Sequence, residues 1–108
     1  MASQDVCAWG ELEDGGKRAI TAGGVSLLVL RSGDAVYAIE NRCPHLSLPL
    51  ASGTFDGRTI TCKFHGARFD ATTGQREKKA WLFGSWIGGD CVKTFPAKVE
   101  GGRVIVEV

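Results

Sequence analysis

Apolar and polar residues alternate in short runs along this chain, and nowhere do apolar residues keep the spacing of a helix over three turns. The runs predict β-strands over Asp5–Trp9, Lys17–Ala22, Val25–Arg31, Ala35–Glu40, Arg58–Cys62, Ala67–Asp70, Lys93–Glu100 and Arg103–Val108. Turn formers separate them: Gly15-Gly16, Gly23-Gly24, Ser32-Gly33-Asp34, Asp56-Gly57, Thr73-Gly74 and Gly101-Gly102. The 15 glycines therefore read as hairpin chemistry, supplied where a connection needs positive φ. Val25, Leu27, Leu28, Val29 and Leu30 make the most buried strand, and Val99 to Val106 around Gly101-Gly102 is the clearest hairpin. Short strands at this spacing predict an all-β antiparallel sandwich or barrel.

Composition narrows the picture without changing it. With 108 residues, 44% of them hydrophobic and 23% charged, the chain is expected to form a single domain over residues 1–108, with one modest core and little room for a deep substrate cleft. Charge-free stretches such as Ala19 to Leu30, 12 residues long, fall far short of the roughly 20 apolar residues that span a bilayer. The first residues, Met-Ala-Ser-Gln-Asp, carry no basic and apolar leader, so the expected location is cytoplasmic, with no membrane contact. A net charge of +1 gives no bulk attraction for nucleic acid. The total hides an uneven distribution: residues 1–40 sum to −3 and residues 41–80 to +4. Arg42, Lys63 and Arg68 give that second stretch a basic rim, either a solvated face or an attraction for an acidic partner.

The chemistry lies in the cysteines and histidines. Cys43-Pro44-His45 and Cys62-Lys63-Phe64-His65 make the formula C-x-H-x16-C-x2-H, which uses both histidines of the chain and two of its four cysteines. Disulfides are disfavoured in a reducing cytosol, so two thiolates and two imidazoles read as four metal ligands. Two sites take such a set: a tetrahedral structural zinc, or a 2Fe-2S cluster with two cysteines on one iron and two histidines on the other. The spacing favours the cluster, since each short loop then supplies one ligand to each iron. Cys7 and Cys91 stand apart from the pattern and read as ordinary thiols.

Around the ligands the sequence is more specific. Cys43-Pro44-His45 is followed by Leu50 and Gly53, and Cys62 leads into His65-Gly66, Phe69-Asp70 and Thr73-Gly74. This resembles the Rieske iron-sulfur family, strongly over residues 25–74 and loosely in the terminal hairpin. The resemblance implies a fold of three stacked antiparallel β-sheets with a small cluster-binding subdomain over about residues 41–80. It implies one 2Fe-2S cluster, with Cys43 and Cys62 on an inner iron and His45 and His65 on an outer iron near solvent. Two ferric ions, two sulfides and two thiolates sum to zero charge, so reduction is easier than with four thiolates.

High-potential members of the family add a cysteine to each loop and a serine after the second histidine. Here those positions hold Leu48, Phe64 and Ala67, which implies a potential in the lower part of the roughly −150 to +300 mV Rieske range. Trp81, Phe83 and Trp86 stand where many members place a proline-containing loop; they shield the site, meet a partner, or pack in the core. No histidines remain for a second, mononuclear iron site, so the chain is expected to be no enzyme and to bind no small-molecule substrate. What the resemblance implies is a ferredoxin of the kind serving bacterial ring-hydroxylating dioxygenases. Such a carrier passes single electrons from an NAD(P)H-dependent flavoprotein reductase to a terminal oxygenase. The alternatives are a Rieske small subunit of another reductase, a redox sensor, or a Cys2His2 zinc-binding interaction module.

Overall fold

The computed structural model describes residues 3–42, 50–61, 68–78, 80–82, 85–87 and 92–108, of which 52, 76–78, 80–82 and 85–87 are described by backbone alone. Thirteen strands are seen among them: β1 (Ser3–Ala8), β2 (Lys17–Ala22), β3 (Val25–Ser32), β4 (Ala35–Glu40), β5 (Thr54–Phe55), β6 (Thr59–Thr61), β7 (Arg68–Asp70), β8 (Arg76–Lys78), β9 (Ala80–Leu82), β10 (Ser85–Ile87), β11 (Thr94–Phe95), β12 (Ala97–Glu100) and β13 (Arg103–Glu107). All pairings are antiparallel. They form three larger sheets, ordered β1-β13-β12, β11-β4-β3-β2 and β5-β6-β7-β8, and a separate β9–β10 hairpin. The expected all-β architecture of three antiparallel sheets is what the chain adopts.

The layering follows from β3. Its run Leu27-Leu28-Val29-Leu30 is apolar at successive positions, which a strand tolerates only when both of its faces are covered. Leu28 and Leu30 pack with Ile39, Leu50, Ile60 and Phe69, whereas Leu27 and Val29 pack with Cys7, Ala38, Val104 and Val106. The β11-β4-β3-β2 sheet is thus the middle layer, with one core on each side, and all four of those β3 side chains have no exposure.

Three differences from the sequence reading have physical causes. The predicted strand Lys93–Glu100 is two strands: Pro96 has no N–H for a ladder, and the chain changes sheets there, β11 pairing with β4 and β12 with β13. Trp9–Glu11 is a 3-10 turn rather than the end of β1, with the Glu11 carboxylate accepting the Ala8 N–H at 3.0 Å and the Arg31 guanidinium lying 4.0 Å over the Trp9 ring. The strands β5, β8, β9 and β10, two or three residues each, are too short for an alternating pattern to register. The Trp81–Trp86 segment forms the β9–β10 hairpin, in which Trp81 and Trp86 occupy facing positions. Among the described residues no helix is long and apolar enough to cross a membrane.

Candidate metal centre

The four candidate ligands, Cys43, His45, Cys62 and His65, lie outside the described residues, as do Lys63, Leu48, Phe64, Ala67, Phe83 and Cys91. What the structure describes is the frame from which the two ligand-bearing segments leave. Among the described residues no three His, Cys, Asp or Glu side chains gather, so no competing metal site is seen there.

The first segment is anchored on both sides. On the approach, the Glu40 N–H donates to the Lys93 carbonyl at 2.8 Å and the Asn41 N–H to the Ser26 carbonyl at 2.9 Å, holding the end of β4 to its neighbours. On the return, Leu50–Ser52 forms a 3-10 turn whose Leu50 side chain is fully buried beside Ile60 and Phe69. The Asn41 side chain joins the two sides: its Oδ1 accepts the Ala51 N–H at 2.9 Å. Among the described residues this amide group bridges positions 41 and 51, on either side of the stretch that carries Cys43 and His45. Sequence reading missed this residue. Its only signal is an Asn at a strand end, where such side chains favour local backbone partners.

The second segment is the connection of the β6–β7 hairpin. Its last described pair is Thr61↔Arg68, so Cys62 directly follows one paired residue and His65 lies between the two strands in sequence. Gly53 brings the two segments together. A Cβ at this position would lie 2.0 Å from the Thr61 carbonyl oxygen and 3.1 Å from that of Leu50. Backbone approaches backbone here, which only glycine permits, and the carbonyl approached belongs to the residue before Cys62.

The remaining motif residues hold the outer end of the same hairpin. Phe69 is buried in the core. Asp70, only 5% exposed, accepts the Thr72 N–H at 2.8 Å and the Thr72 hydroxyl at 2.5 Å, and pairs with Arg58 Nε and Nη2, each at 3.0 Å. Those donors, the Thr72 hydroxyl foremost, hold the Asp70 carboxyl below the usual carboxylate range despite its burial. Asp56 is treated similarly: its Oδ1 accepts the N–H groups of Thr59 at 2.7 Å and Arg58 at 3.0 Å, and its carboxyl is held low by them. Gly74 has φ of 78°, and a Cβ there would meet the Val92 carbonyl oxygen at 2.2 Å. The Phe69-Asp70-x-x-Thr73-Gly74 motif is therefore the device that ties the hairpin to the Val92–Thr94 chain.

Cys7 sits beside a β-bulge in β1 and is buried in the second core, and burial pushes its thiol pKa up. It packs as a small apolar side chain, in keeping with its reading as an ordinary thiol.

Gly53 sets the turn that follows the first segment against Thr61, the residue before the second, and the four donors in the sequence, two thiols and two imidazoles, are the set that a histidine-ligated 2Fe-2S cluster requires. Residues 2–96 match the family described as the Rieske [2Fe-2S] domain. The chain belongs to the Rieske family. Its similarity to members of that family extends over most of its length. The ferredoxin component of the naphthalene 1,2-dioxygenase system of Pseudomonas aeruginosa is 32% identical over 104 residues, covering 96% of this chain and 93% of that one. The ferredoxin component of the alkene monooxygenase system of Xanthobacter autotrophicus is 35% identical, covering 94% and 78% respectively. A solved chain in the complex of reduced oxygenase and oxidized ferredoxin of carbazole 1,9a-dioxygenase superimposes with a TM-score of 0.82 at 33% identity, covering 96% of this chain and 91% of that one.

Proposed function

We propose that this Rieske chain is a soluble, cytoplasmic one-electron carrier that takes electrons from an NAD(P)H-dependent flavoprotein reductase and delivers them to a terminal, ring-hydroxylating oxygenase. The observation that carries this reading is near end-to-end similarity to ferredoxin components of oxygenase systems, among them one that covers 93% of its relative. Residues 1–108 act as one domain, with about 41–80 as its ligand-bearing part. Cys43 and Cys62 supply the thiolates, and His45 and His65 the imidazoles.

A bound 2Fe-2S cluster supplies the chemistry, storing and releasing one electron. The residues of the chain do the rest. Asn41 ties together the two ends of the first ligand segment, Gly53 sets the far end of that segment against the residue before Cys62, and the Arg58–Asp70–Thr72 network holds the β6–β7 hairpin that presents the second. A preset frame keeps the ligands from rearranging on electron transfer, which favours fast exchange with a transient partner.

The test is the composition and spectrum of the purified protein: two irons and two labile sulfides per chain, and a rhombic EPR signal on reduction with average g below the free-electron value. A colourless protein with one zinc and no sulfide would overturn the reading. His65→Cys adds a negative thiolate and is expected to lower the potential in any variant that assembles. The native potential is expected in the lower part of the Rieske range, and voltammetry giving a value above about +100 mV would refute that.

A further inference from the structure

The registers of the β5-β6-β7-β8 sheet place Thr54, Thr61, Arg68 and Lys78 in one row across its four strands, at the end that leads into residues 62–67. The next row, Phe55, Ile60, Phe69 and Arg76, contains the core residues Ile60 and Phe69. Arg68 is exposed, and it directly faces the position of Lys78. Like charges at facing positions of an antiparallel pair destabilise the sheet. Folding alone gives no reason to keep two of them beside the ligand-bearing hairpin.

Nearby carboxylates are few and offset them only in part, the Asp56 carboxylate being near enough to feel the Arg68 charge. Residues 41–80 contain seven basic and three acidic residues. Two of the three acids are already committed: Asp56 to the N–H groups of Arg58 and Thr59, and buried Asp70 to Thr72 and Arg58. The third, Glu77, falls at the irregularity between the Lys78 and Arg76 pairings.

We infer that the Thr54–Thr61–Arg68–Lys78 row is a docking surface for an acidic face of a redox-partner protein. The inference rests on the electron-carrier reading, since it is the row nearest the candidate ligands in register. A small cationic patch on a chain of net charge +1 suits steering of a transient protein partner, where it raises the association rate without demanding tight binding. A nucleic acid would need a longer run of phosphate contacts than this row offers.

The experiment is stopped-flow oxidation of the reduced holoprotein by two acceptors of opposite surface charge, acidic cytochrome b5 and basic cytochrome c, from low to physiological ionic strength. The rate with cytochrome b5 is expected to fall about tenfold or more as salt rises, and the rate with cytochrome c to stay level or rise. In Arg68→Glu/Lys78→Glu the two salt profiles exchange, while Lys17→Glu on β2 leaves both unchanged. If the reversal disturbs assembly, Arg68→Gln/Lys78→Gln is expected to flatten the cytochrome b5 profile. EPR spectra equal to the parent's establish that the cluster is intact in each variant. Salt profiles unmoved by both double variants, with intact spectra, would overturn the docking surface. A parent protein that binds no iron would instead overturn the carrier reading beneath it.

Discussion

Replacing Gly53 by alanine tests the closest approach in the frame. The added Cβ would lie 2.0 Å from the Thr61 carbonyl oxygen, about 1.4 Å inside ordinary contact, and 3.1 Å from the Leu50 carbonyl. Both obstacles are backbone, so no side chain can swing aside. Leu50 is fully buried, and Thr61 pairs on both sides, with Thr54 and Arg68. Relief must come from moving the turn away from β6 against a packed core, which costs about 3 kcal/mol or somewhat more. For a domain of this size that is a loss of roughly 15 °C in Tm. Two other glycines provide the scale. Gly101→Ala places a side chain at φ 59° in open space and costs about 1 kcal/mol, and Gly10→Ala meets nothing within 4 Å and costs less than about 0.5 kcal/mol. Thermal melts of the three variants followed by far-UV circular dichroism, with iron content measured in parallel, give the ordering directly. Gly53→Ala is expected to melt lowest and to retain least iron, because the displaced carbonyl belongs to the residue before Cys62. If Gly53→Ala melts with Gly101→Ala and holds a full complement of iron, the backbone contact does not fix the ligand segments.

Three further outcomes follow from the same frame. Asn41→Ala removes the acceptor for the Ala51 N–H and is expected to cost about 1 kcal/mol, whereas Asn41→Asp keeps an oxygen there and recovers most of it; hydrogen exchange at the Ala51 amide, fast in the first and slow in the second, checks this. Asp70 is held below its unfolded pKa, so its contribution is complete at neutral pH and fades as the solution is acidified from about pH 4 through the lowered value; Asp70→Asn is expected to lose it at neutral pH and to show a flatter fall in stability below pH 4, read from urea melts across pH. Cys7 is buried with a raised thiol pKa, so the native protein is expected to leave it unmodified by a thiol reagent that labels it at once in urea, and Cys7→Ser to cost more than Cys7→Ala, about 1 to 3 kcal/mol, if its hydroxyl finds no partner.

How much of this was readable from the chain depends on whether the cause was local. The run Leu27 to Leu30 announces a strand covered on both faces, and Gly23-Gly24 and Gly101-Gly102 announce their hairpins, because each requirement is met by the residues in place; Gly15-Gly16 instead leads from the 3-10 turn into β2, since β1 pairs with β13 and not with β2. The C-x-H and C-x2-H spacings similarly carry their chemistry in their letters. The sheet change at Pro96 was missed because it depends on which strands lie alongside, not on the run itself. Gly53 and Asp70 were visible as points of a motif, but their roles depend on the Thr61 carbonyl and on Arg58, both distant in the chain. Asn41 gave almost no signal, since an amide bridging ten residues resembles any polar residue after a strand.

The pairing of β1 with β13 sets Ser3 opposite Glu107, and Arg103 clasps Asp5 across the same two strands at 2.9 Å. Residues 3 and 107 therefore adjoin, in a sheet that contains none of the strands bordering the candidate ligands. Such a layout lends itself to circular rearrangement: a short bridge from residue 107 to residue 3, with new ends opened at the Gly101-Gly102 turn, would change the order of the strands in the chain and leave the ligand-bearing frame as it is.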